Sequence, residues 1–241
     1  MNRRRTLLLM ALLALCIATG IAIARSWLPP VTTSEATWEE QLAAVRRGER
    51  DVIHVTATPV SDDQLIELSD ATNLRILKLE QGSVSPEGLS VLTALPKLDT
   101  LWLRNSNVGD AAVRSIVRNQ HLAYLNFSQA EFSDAGLQLL LSLPRLKQLR
   151  FSSSSVTEQG LLHLSDAPTL RWLHLFDVPM TDRVLQEIAK LDQLESLYID
   201  HPQADPEELD AALEKFYLAR PNVHVHINQQ HRDLDPNRHE H

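Results

Sequence analysis

The sequence predicts an α/β solenoid: about seven β-α units stacked in register, a parallel inner sheet, an N-terminal cap helix and a terminal cap strand. Two observations carry this. Leu74, Leu98, Leu122, Leu146, Leu170 and Leu194 recur at 24-residue intervals with no insertion or deletion between them. Within each interval apolar residues then fall at the same offsets, so one supersecondary unit is repeated, each copy burying its apolar face against its neighbours.

Residues 1–27 form the first element. Arg3, Arg4 and Arg5 precede an uncharged run from Thr6 to Ala24, close to the roughly 17–25 residues of a membrane helix. Positive charge stays inside, so the repeats are expected outside the cytoplasm on a single-pass anchor. The other reading is a cleaved signal peptide, with Leu7 to Ala18 as its apolar region and cleavage after Ala24, which gives a secreted or periplasmic product. Residues 28–36 read as a linker. Over 37–49, Trp38, Leu42 and Val45 fall at i, i+4 and i+7, the stripe of a short amphipathic helix that closes the first open end of the stack.

Residues 50–228 hold the repeats. Counted from each leucine, apolar residues at +3 (Leu77, Leu101, Leu125, Leu149, Leu173, Leu197) and +5 (Leu79, Leu103, Phe127, Phe151, Leu175, Ile199) give a period-2 strand. A further apolar position follows at +10. Next come residue types suited to a helix N-cap: Ser61, Ser85, Gly109, Ser133, Thr157, Thr181 and Asp205. The position after is acidic or proline (Asp62, Pro86, Asp110, Asp134, Glu158, Asp182, Pro206); acids there complement the helix dipole, and proline lacks only an N–H that has no helical partner. A helix is therefore expected to start at the same point in every unit. Gly88, Gly136 and Gly160 read as allowing close packing of helix on sheet. Val223, Val225 and Ile227 form an eighth, closing strand. The His-rich stretch 229–241 has no apolar periodicity and is expected to be a disordered tail.

LxxLxL followed by a small residue, a spacer and an apolar residue resembles the leucine-rich repeat. Segments such as VTEQGLLHL and FSDAGLQLL resemble the 24-residue arrays of bacterial, planctomycete-like members. The resemblance implies a right-handed solenoid and a protein-binding module. Where many relatives carry a buried Asn or Cys, this chain has Thr58, Gly82, Ser106, Ala130, Ser154, Val178 and Pro202. The turn must be held by something else.

Composition narrows the function. The only cysteine, Cys16, lies in the N-terminal apolar run, so the repeats can form no internal disulfide. The formal charge of −8 becomes −11 without the three arginines of residues 1–24. Such a surface repels nucleic acid. There is no nucleophile-elbow, zinc-protease, phosphate-loop or dinucleotide motif, so no enzyme activity, cofactor or metal is expected. His174, His201, His224 and His226 gather near the C-terminal end, but the strand spacing strains any convergence on one ion.

If +3 and +5 face inward, +2, +4 and +6 face out of the inner sheet. These columns hold five of the twelve aromatics. Trp102, Arg104, Tyr124, Arg150, Trp172, His174, Phe176 and Tyr198 are accordingly the candidate contacts for a protein or peptide partner, because aromatic and arginine clusters are what interfaces select. Two alternatives stay open: a purely structural envelope scaffold whose rings stabilise the sheet, and a metal-dependent enzyme at the His-rich end.

Overall fold

The computed structural model describes residues 36–82, 84–201, 205–228 and 230–231. The expected anchor or signal peptide lies outside them, as does most of the tail. Among the described residues no helix is long and apolar enough to cross a membrane.

Nine strands form one sheet in chain order: β1 (Val52–Val55), β2 (Ile76–Leu79), β3 (Thr100–Leu103), β4 (Tyr124–Ala130), β5 (Gln148–Ser153), β6 (Trp172–Phe176), β7 (Ser196–Asp200), β8 (His224–Ile227) and β9 (Gln230–His231). β1 to β8 are parallel and β9 runs antiparallel to β8. From β1 to β7 the register steps by the sequence period, as in Val52↔Ile76 and Trp172↔Ser196, except at the end of the β4–β5 pair. The last step is longer, Ser196↔His224, because the intervening helix runs to 14 residues. Gln230–His231 pairs with β8 inside the stretch that the sequence assigns to an unstructured tail.

Outside the sheet lie α1 (Trp38–Arg46), α2 (Asp62–Ile66), α3 (Asp110–Ile116), α4 (Asp134–Leu141), α5 (Glu158–Leu161), α6 (Asp182–Ile188) and α7 (Pro206–Ala219). The expectation of a helix start at the same point in every unit fails once. In the Pro86 unit only a 3-10 helix forms, over Gly88–Ala94. Short 3-10 turns also follow α2 and α5. The leucine ladders at 0, +3 and +5 are buried throughout. A phenylalanine spine fills the middle, Phe132 lying 6.5 Å from Phe127 and 5.3 Å from Phe151 between ring centroids.

Carboxylates link successive units at their helix starts. Asp62 accepts from the Ser85 N–H at 2.8 Å. Asp110 accepts from the N–H and the O–H of Ser133 at 2.8 and 2.7 Å, Asp134 likewise from Thr157 at 2.7 and 2.6 Å, and Glu158 from the Thr181 hydroxyl at 2.8 Å. These four first-turn acids thus bind the N-cap-type residue of the next unit, a charge-assisted link between successive units, whereas Asp182 accepts from Gln186 and Lys215. The glycines find their reason here rather than in helix-on-sheet packing. A Cβ on Gly88 or Gly160 would stand 2.2 Å from Asp62 Oδ1 or Asp134 Oδ1, and on Gly136 it would stand 2.4 Å from Asp110 Oδ1.

In the turn slot, Ser153 and not Ser154 is buried, and its Oγ donates to the Phe132 carbonyl at 2.7 Å. The cause is a register shift: Phe127 pairs Phe151 but Ala130 pairs Ser153, with Gln129 at φ 64° absorbing the extra residue.

Both ends of the stack are closed. On the exposed edge of β1, the Gln41 amide donates to the His54 carbonyl and accepts its N–H, at 2.8 and 2.9 Å, imitating one more strand. Trp38 is buried, with its Nε1 donating to Glu67. At the far end the Arg220 guanidinium donates to the carbonyls of Ala189, Leu191, Asp192 and Leu194, which follow α6. The carbonyls at a helix end lack intrahelical donors, and the guanidinium adds to the backbone bond in this turn from the Leu194 N–H to the Leu191 carbonyl at 3.0 Å.

Candidate partner-binding face

Because strand side chains alternate, burial of Leu149, Phe151, Leu173 and Leu175 beneath the sheet sends Gln148, Arg150, Trp172, His174 and Phe176 to its other face. All eight sequence-selected residues are half-buried on this inner face. They do not form one continuous patch.

Tyr124 and Trp172, two strands apart, lean together over the smaller Gln148 of β5 and stack at 6.2 Å with their planes 25° apart. With His174 and Tyr198 they line an open cleft of about 310 Å³. A second group runs toward the C-terminal edge: Phe176 stacks on His174 at 4.2 Å, His174 meets Tyr198 at 4.9 Å, and Tyr198 stacks on His226 at 4.2 Å. Trp102 stands apart under Lys78, whose Nζ lies 3.6 Å from its ring centre. Gln148, Lys78 and His226 were not singled out as contacts in the sequence. The column pattern held the signal for all three, since they extend the +2 and +4 positions.

Arg104 is already occupied: it pairs with Glu80 at 2.8 Å, and Glu80 also meets His54 at 3.3 Å. Arg150 differs. Its guanidinium lies 4.6 Å from the Phe176 ring centre, and its Nε is buried without a hydrogen-bond partner. Burial, and next the charge of Arg104, lower its pKa from the ordinary arginine value. His174 is pushed down to about 4, chiefly by burial and then by Arg150, although Asp200 at 3.4 Å pulls the other way. The imidazole is neutral at physiological pH. His224 and His226 bring their Nε2 atoms together, with Tyr198 separating this pair from His174. Among the described residues no group of three or more His, Cys, Asp or Glu is placed to hold a metal ion.

No protein-family model and no curated protein matches the chain. Among solved structures, it is similar to an internalin (inlF) from Listeria monocytogenes, at 21% identity and a TM-score of 0.53. The fold is a leucine-rich-repeat solenoid. The match covers 87% of this chain and 54% of the internalin, so the chain spans about half that structure's length. The actin-binding site 2 of leiomodin-1 also aligns, over 78% of this chain and 96% of its own, at 13% identity. Its TM-score of 0.40 is too low to carry a structural argument.

Proposed function

We propose that the inner sheet is the docking face for a protein or peptide partner and that the chain is a recognition module rather than an enzyme. One observation carries this reading: Tyr124, Trp172, His174 and Tyr198 line an open cleft on a face the core does not need. Rings left partly in water at a concave surface are what binding hot spots are made of. The repeat period further favours the 24-residue bacterial arrays, and the N-terminal run favours a membrane-tethered module outside the cytoplasm, or a secreted one after cleavage following Ala24. A reporter enzyme fused after Asn228 is expected to be active only outside the cytoplasm, and N-terminal sequencing separates anchor from release.

A second reading has its own observation. The rings stack on each other, Tyr198 on His226 with planes only 9° apart, as they would in a scaffold that uses aromatics to stiffen the sheet. The two readings part in one experiment. A photo-crosslinking residue at Gln148 captures the partner in cells, and Trp102→Ala and Trp172→Ala are then compared with Gln138→Ala on the exposed helical side. Weakened capture with unchanged melting for the tryptophan variants supports docking. Equal capture in all three removes the concave site, and lost stability in the tryptophan variants returns the rings to a structural role.

A further inference from the structure

The inner face differs in charge from the chain that carries it. The chain totals −8, yet the outward columns of β1 to β7 hold Lys78, Arg104 and Arg150 against Glu80 and Asp200. Glu80 is consumed by Arg104 and His54. Asp200 contacts His174, and it attracts Arg150 only from beyond ion-pair distance. Among the described residues no carboxylate lies within 4.0 Å of Arg150. A guanidinium partly withdrawn from water and lacking a counter-ion is costly. Its planar fork, braced against Phe176, fits a carboxylate in two-pronged fashion.

Arg150 also has a neighbour of defined shape. The cleft between Tyr124, Gln148 and Trp172 lies on the +2 column, and Arg150 lies two residues further along β5. Two strand residues span about 6.6 Å, which is also the spacing of residues i and i+2 in an extended ligand.

We infer that the concave face selects an extended acidic segment of a partner protein, with an Asp or Glu side chain seated on Arg150 and an aromatic or large aliphatic side chain two residues away in the Tyr124–Trp172 cleft. This rests on the docking reading above and adds the chemistry of what docks. The carboxylate supplies the missing counter-charge; the cleft supplies apolar contact.

The test uses the full chain in mild detergent and two fluorescein-labelled nonapeptides, capped at both ends, built of Ser and Thr around Glu-Ser-Phe or Gln-Ser-Phe. Anisotropy is expected to show the Glu peptide binding about tenfold more tightly than its Gln isostere, the size of one charge-assisted hydrogen-bonded pair. Arg150→Gln should erase that preference without lowering the melting temperature. Trp172→Ala should weaken both peptides alike. If Trp172→Ala weakens binding but Glu and Gln peptides bind equally, the docking face stands and the acid preference is overturned. If the preference survives Arg150→Gln, Arg150 is not the receptor and the inference is equally overturned. No binding of the Glu peptide at millimolar concentration also overturns it, leaving the docking face to its crosslinking test. Displacement of the Glu peptide by inorganic phosphate as readily as by acetylated glutamate would mark a general anion site instead.

Discussion

His174 concentrates the residue-scale physics of the inner face. It is stacked between Phe176 and Tyr198, bonded to Asp200 and placed beside Arg150, so burial and a neighbouring cation outweigh one carboxylate. Its folded pKa of about 4 lies below the ordinary 6.5. As pH falls the unfolded chain is therefore protonated first, and stability present above pH 6.5 is lost as pH drops toward 4. The loss attributable to this side chain is on the order of 3 kcal/mol. Urea denaturation of the chain and of His174→Gln, run from pH 7 to pH 4, should show the steeper decline in the unsubstituted chain. Parallel pH profiles would remove His174 as the cause. Alternation along the strands sufficed to put all eight candidate side chains on this face. It could not show that Tyr124 reaches Trp172 over Gln148, or that Glu80 occupies Arg104 and leaves Arg150 without a counter-ion. Those contacts depend on the sizes and leanings of side chains on neighbouring strands, which no single repeat encodes.

At the scale of the element, the chain contains its own comparison series for the carboxylate ladder. Asp62, Asp110 and Asp134 are each followed, in the next unit, by glycine at the facing helix position: Gly88, Gly136 and Gly160. Where the first-turn residue is Pro86, the facing position is Ala112; where it is Glu158, whose longer side chain reaches the Thr181 hydroxyl, it is Val184. An aspartate that reaches the next N-cap goes with an absent side chain because its carboxylate occupies the volume a Cβ would need; Asp182, which accepts from Gln186 and Lys215 instead, has Glu208 at that position. Gly160→Ala alone is expected to destabilise by about 1–3 kcal/mol through overpacking, and Asp134→Ala by a similar amount through loss of two charge-assisted bonds to Thr157. The double variant recreates the Pro86–Ala112 situation and adds the helix preference of alanine over glycine. It should therefore cost clearly less than the sum of the two single changes. A double-mutant cycle by urea denaturation reads the coupling, and simple additivity would sink the explanation. Acid and glycine columns were both plain in the sequence, yet their connection was not, because it runs between adjacent units rather than within one.

For the whole molecule, stacking decides which residues carry the fold. The period and the strand and helix offsets were legible because each unit repeats the same constraint seven times. The end closures were only partly so: a stripe with Trp38, Leu42 and Val45 announces a helix, whereas the Gln41 amide on the edge of β1 and the Arg220 fork on four carbonyls answer backbone groups that appear only once the stack is built. In such a quasi-linear array an interior core residue is packed by units on both sides and a terminal one by its own unit and one neighbour. Leu149, fully buried in β5 between β4 and β6, should cost about 2–5 kcal/mol when changed to alanine. Because both flanking interfaces weaken together, the loss should appear as a downward shift of one shared transition. Leu209→Ala, in the helix of the last unit, should leave the central strands protected and open the end. Hydrogen exchange separates the two cases: Leu149→Ala raises exchange across β4 to β6, and Leu209→Ala confines the change to β7 and β8. A loss below about 1 kcal/mol for Leu149→Ala, or uniform exchange for Leu209→Ala, would contradict the stacked-unit account of stability.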